Sequence, residues 1–213
     1  MQGTALALAA PASKKEPRAS PPTPIVAAAP SLAGFASAKP GLGTWSFDSK
    51  TARQEDAEQF FAKLLLDKAP QAAAFKLSFS ARSQGRGWVG LGVHILVDKA
   101  RTHKGFGEGE SWLIWLTRDP VHYTQDPVRI QIYRSRGDVD MVLVAEAPAP
   151  LSIFEFNRFD ISADPAAGTI GVSINGEALL SYDAGDALGE GAVLALRTLD
   201  RAEFKELLAE EGK

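Results

Sequence analysis

Aromatic rings crowd the middle third of the chain (Trp88, Trp112, Trp115, Tyr123 and Tyr133), with Arg118, Arg129, Arg134 and Arg136 interspersed among them. Flat rings stack on the apolar side of a pyranose, and charged groups bond its hydroxyls, so this mixture suits a cleft for a polyhydroxylated ligand. Strand parity decides which rings can serve. Trp112 and Trp115 are separated by an odd number of positions, so on one strand they point to opposite faces and at most one lines a given cleft. Tyr133 lies on the face opposite to Ile130 and Ile132, which makes it the ring expected outside the core. His94 alternates onto the polar side of its run and could project into a cleft. The ligand-binding set expected from these positions is Tyr133, Trp115, His94, Arg118 and Arg134.

Catalytic chemistry has less to stand on, and no catalytic residue is assigned. The chain has no cysteine, which removes disulfides, thiolate metal sites and cysteine nucleophiles. Its histidines, His94, His103 and His122, lack the spacing of a helical zinc motif. Glu108-Gly109-Glu110 is the nearest acidic cluster, set in a loop with Gly105 and Gly107 that would hold two carboxylates loosely. Calcium is a possible ligand of the acidic loops through Asp98, Glu108, Glu110, Asp119 and Asp126, since it takes hard oxygen donors. No other cofactor is expected. Gly105-Phe106-Gly107-Glu108-Gly109 lacks the strand–turn–helix surroundings of a dinucleotide fingerprint, and Arg136-Gly137-Asp138 reads as a turn.

Strands must position these residues. Every second residue is apolar in Phe75–Ala81, Val89–Ile95 and Thr169–Ile174, and the last runs into Asn175-Gly176, a strong hairpin signal. Strands are predicted at 74–82, 87–97, 111–117, 127–135, 138–146, 157–163, 168–174, 177–182 and 191–198. Trp112–Leu116 is apolar on both faces, as a strand covered on each side would be. Ala57, Phe60, Phe61, Leu64 and Leu65 fall at helical spacing, which predicts a helix over 54–68, with a strand through Phe61–Leu66 as the alternative. Asp200-x-x-Glu203 followed by Phe204, Leu207 and Leu208 predicts a short helix over 200–213.

The prolines from Pro11 to Pro40 mark residues 1–43 as a leader: a signal-peptide remnant, with Ala7-Leu8-Ala9 and Ala10-Pro11-Ala12 as cleavage-like triplets, then an extended spacer. That places the protein in the periplasm or outside the cell. The net charge is −3 over 213 residues, with +3 carried by residues 1–44 and −6 by the rest. An acidic body is a poor surface for nucleic acid, and no stretch is long and apolar enough for an integral membrane span.

The layout resembles the concanavalin A-like, or laminin-G-like, jelly-roll superfamily over about residues 44–198. Gly87–His94, Ser111–Thr117, Arg129–Tyr133 and the module Asn157–Ser162 with Gly168–Gly176 carry the resemblance. It implies an all-β antiparallel sandwich over 44–199 with one or two short peripheral helices. Laminarinase-like members carry Glu-x-Asp-x-x-Glu on one strand, and no Glu here is followed two positions later by Asp. The expected function is a non-catalytic exported binding module for a glycan or a protein partner, at a concave sheet face. The alternatives are an assembly component of a bacterial envelope complex and a divergent glycoside hydrolase.

Overall fold

The computed structural model describes residues 31–99, 101, 105–125 and 127–212. Most of the expected leader, together with His103 and Asp126, lies outside these residues. Fifteen strands and no helix make up the described residues. In chain order they are β1 (Ser31–Ala33), β2 (Ala38–Leu42), β3 (Trp45–Phe47), β4 (Thr51–Gln54), β5 (Ala62–Leu66), β6 (Phe75–Ser83), β7 (Val89–Val97) and β8 (Glu110–Arg118). The rest are β9 (Val128–Arg136), β10 (Met141–Pro148), β11 (Asn157–Asp164), β12 (Thr169–Ile174), β13 (Glu177–Asp183), β14 (Val193–Leu199) and β15 (Ala202–Glu211).

Two antiparallel sheets result. One runs β13-β12-β11-β6-β15-β4-β3, with β1 also on β15, and the other runs β10-β9-β8-β7-β14-β5-β2. Alternation builds the core between them: Phe75, Leu77 and Phe79 of β6 face Val93, Ile95, Trp112, Ile114 and Ile132 of the second sheet in one apolar cluster. Trp112 is only 2% exposed and donates its indole N–H to Leu188 O at 2.8 Å. The hairpin after β12 forms as its sequence demands, with Asn175 at φ 54° and Gly176 at φ 83°, the pair of positive values that a type I′ turn needs.

Both predicted helices are strands. Ala62–Leu66 is buried at every position and pairs with β2 on one side and β14 on the other. Phe61, at φ 58°, breaks any helix before it. At the C-terminus, β15 lies between β6 and β4. Its ladder shifts register between Lys205 and Leu208, where Glu206 has φ 57°, and this bulge moves the buried face from Ala202 and Phe204 to Leu207 and Ala209. One inserted residue turned a two-residue period into a pattern that imitates a helical one. Strands are also present before residue 44: β1 joins one sheet, β2 the other, and Phe35 between them is fully buried.

Candidate functional site

The second sheet carries a distinctive outward face. Leu113, Trp115 and Thr117 of β8 point away from the inter-sheet core, opposite Tyr133, Gln131 and Arg129 of β9. On β7 the partners of Trp115 and Thr117 are Gly92 and Gly90. A β-carbon at Gly90 would fall on the Trp115 ring, so that glycine makes the bed in which the indole lies. A recess of about 290 Å³ opens here. Phe61, Phe106, Trp115 and Leu199 supply its apolar lining, and Trp88, Tyr123 and Tyr133 add further rings. The Phe61 and Phe106 centroids are 5.0 Å apart, and Phe106 meets Tyr133 edge-on at 5.6 Å. Trp88 is 52% exposed, an open ring beside His122 at 6.4 Å.

A chain of hydrogen bonds orders the polar wall. Tyr133 donates its hydroxyl proton to Gln131 Oε1 at 3.0 Å. Gln131 Nε2 donates to Tyr123 Oη at 3.3 Å and to Glu146 Oε2 at 3.2 Å, and Tyr123 donates to the same carboxylate oxygen at 2.9 Å. Arg129 closes the chain, pairing with Glu146 Oε1 at 3.2 Å and lying 5.0 Å over the Tyr123 ring. Burial opposes ionisation of Glu146, but the bonds from Gln131 and Tyr123 and the Arg129 charge outweigh it and hold the carboxyl below its ordinary value. Burial, with the charges of Tyr123 and Glu146, pushes the Tyr133 phenol up to about 12. Asp119 Oδ1 accepts from the backbone N–H groups of Val121 and His122, each at 3.1 Å, and Oδ2 lies 2.7 Å from His122 Nδ1. These bonds overcome its burial and keep Asp119 below the usual carboxylate range.

The same face holds a buried group of charges. Lys63 of β5 and Glu108, both without exposed surface, form an ion pair, and Arg197 Nη1 of β14 lies 3.8 Å from Glu108 Oε2. Arg197 also donates to the carbonyls of Gly105 at 2.7 Å and Phe106 at 3.0 Å, with its guanidinium 5.6 Å from the Phe61 ring. Glu108 N donates to Ser135 Oγ at 3.0 Å. These bonds tie the 105–108 segment to the sheet, which brings Phe106 to the recess. Burial lowers Lys63 and brings Arg197 down to about 10.

The residues expected to bind a ligand separate. Trp115 and Tyr133 meet in the recess. His94 shares their face but is fully buried, with Nδ1 2.9 Å from Ser111 Oγ, so it does not project into a cleft. Arg118 and Arg134 have the parity of Trp112 instead: Arg118 donates to Gly87 O at 2.8 Å, and Arg134 lies 5.5 Å over the Trp112 ring. Neither lines the recess. Gln131, Thr117, Phe61, Phe106, Asp119 and His122 were not anticipated there; extending the parity of Trp115 and Tyr133 by two positions along each strand finds Thr117 and Gln131. Of the carboxylates considered for calcium, Glu108 is committed to Lys63, Asp119 to His122, and Asp98 to Arg101 at 3.3 Å. Among the described residues, no group of three or more His, Cys, Asp or Glu could hold a metal ion.

No family model matches the chain, and no curated protein matches it. Solved structures do. A carbohydrate binding module, CBM66 from Bacillus subtilis, aligns with a TM-score of 0.63 at 12% identity over 82% of this chain and 96% of that one. The carbohydrate recognition domain of Emp47p gives 0.61 at 11% identity, over 86% and 95% of the two chains. A legume lectin-like domain from Entamoeba histolytica gives 0.59 at 10%, over 83% and 91%. The chain has the concanavalin A-like jelly-roll fold.

Proposed function

We propose that this protein is a non-catalytic glycan-binding module whose ligand sits in the recess on the outward face of the β8–β9 sheet. The observation that carries the reading is the recess itself, where Trp88, Trp115 and Tyr133 offer ring faces beside an ordered wall of hydroxyl and carboxylate oxygens. The carbohydrate-binding names of the structural neighbours support it. Catalysis is disfavoured by the carboxylates present: Asp119 and Glu146 are both held ionised by internal partners, so neither is a ready acid for a leaving oxygen. Binding is expected to be independent of calcium, because Asp119 is engaged by His122 and two backbone N–H groups, and among the described residues no group of three or more His, Cys, Asp or Glu could hold a metal ion. A periplasmic or extracellular setting fits the cleavage-like triplets at Ala7–Ala12. Among the described residues, no helix is long and apolar enough to cross a membrane.

Thermal shift of the full chain over an oligosaccharide panel, with and without chelator, tests the reading. A bound glycan raises the melting temperature by mass action. The rise should survive chelator and disappear in Tyr133→Ala and Trp88→Ala variants that melt normally without ligand. Trp88 is the cleaner probe, since its exposed ring contributes little to the fold. If no glycan shifts the transition of the well-folded chain, the reading fails.

A further inference from the structure

We infer that the recess selects for hydroxyl donors: it takes an uncharged glycan unit with free hydroxyl groups and turns away carboxylated and sulfated sugars. The inference rests on the glycan-binding reading and adds the chemical class of the ligand to it.

The argument follows the protons along the wall. Glu146, as an ionised carboxylate, can only accept, so it fixes the direction of every bond that reaches it. It takes the Tyr123 hydroxyl proton at 2.9 Å and an amide proton from Gln131 at 3.2 Å. With its nitrogen turned to Glu146, Gln131 presents Oε1 to Tyr133, which must therefore donate to it. Both tyrosine hydroxyls have thus spent their protons inside the protein, and each can offer a ligand only lone pairs. Thr117 is in the same state, having given its proton to Val89 O at 2.9 Å. Asp119 is an acceptor by nature, and its oxygens already take the backbone N–H groups of Val121 and His122 and lie against His122 Nδ1.

The oxygen atoms that line the recess therefore all ask for a proton from the ligand. Among the described residues, no lysine or arginine lines it: Arg129 is occupied by Glu146, while Lys63 and Arg197 are fully buried beside Glu108. Among the described lining residues, the side-chain donors left are the indole N–H groups of Trp88 and Trp115 and the exposed His122 ring. Sugar hydroxyls satisfy such a wall. A carboxylate or sulfate meets lone pairs and the Asp119 carboxylate, with no lysine or arginine among the described lining residues to replace its lost water.

The test is a printed array of matched sugars probed with the full chain: neutral hexose oligosaccharides, their uronate counterparts and their sulfated counterparts. The expected result is binding to neutral members, weakened about tenfold or more when the unit in the recess becomes acidic. Deoxyfluoro analogues of the tightest neutral ligand then separate hydrogen-bond direction from charge, since fluorine keeps the size of a hydroxyl and cannot donate. At least one position should lose about tenfold on fluorination. Glu146→Ala, which frees the Tyr123 and Gln131 protons, should narrow the gap between neutral and acidic ligands. Acidic glycans bound as well as neutral ones, or fluorination tolerated at every position, would overturn the inference and leave the glycan-binding reading standing. An array with no bound member overturns both.

Discussion

His94 is the residue whose surroundings most constrain its chemistry. Its ring is fully buried beside Ser111, and Nε2 has no hydrogen-bond partner among the described residues. Burial first, then the positive charges of Arg197 and Lys63, hold it well below its ordinary value of 6.5. The native ring is therefore neutral, whereas the unfolded chain takes up a proton near 6.5. Below that pH the unfolded state binds more protons, so stability must fall with falling pH, by at most about 1.4 kcal/mol per unit from this group. Urea midpoints measured from pH 7.5 downward should show this loss beginning near pH 6.5 in the native chain. A His94→Leu variant should lose that slope in the window down to about pH 5, above the range where carboxylates titrate. Parallel curves for the two proteins would show that His94 is protonated in both states.

At the scale of elements, the pairing of β7 with β8 sets the shape of the recess. Trp115 lies low because β7 has no side chain beneath it at Gly90. Gly90→Ala should therefore displace the indole, cost about 1–3 kcal/mol through overpacking, and weaken ligand binding in the same sample. Gly137→Ala is the control, since a β-carbon there meets nothing within 4 Å. Chemical denaturation and ligand titration of both variants check the contrast.

Alternation made β6, β11 and β12 legible in the sequence because each turns one face into the core, while β7 and β8, buried on both faces, were marked by their apolar/glycine alternation and by an unbroken apolar run. The same reasoning placed Trp115 and Tyr133 on the face they occupy. It failed where parity breaks, at β15, and where a short run buried on both faces also fits helical spacing, at β5. The bulge at Glu206 hid β15, and the unbroken burial of β5 removed the alternation that would have marked it. The partners of Tyr133 were illegible for another reason. Glu146 stands opposite Gln131 and bonds it and Tyr123 after β10 shifts register between Leu143 and Ala145, and Phe106 comes to the recess with the 105–108 segment that Arg197 holds. Neither event has a local sequence signature.

For the molecule as a whole, the residues before 44 matter more than their composition suggested. β2 supplies the outer partner of β5, and Phe35 enters the main core with no exposed surface. A chain beginning at residue 44 would lose that ring, a deletion on the scale of about 3–5 kcal/mol, together with two strand pairings. Its melting temperature should fall well below that of a chain beginning at residue 31, and equal melting of the two would show that β1 and β2 are ornaments on a complete sandwich. The pairing of β1 with β15 has a different kind of consequence. Ser31 stands opposite Glu210, so the two ends of the described chain leave the molecule as cross-strand neighbours, about 5 Å apart at the backbone. They leave from the sheet that does not carry the recess. A tag or label joined next to Ser31 or Glu210 therefore starts from the sheet opposite the recess.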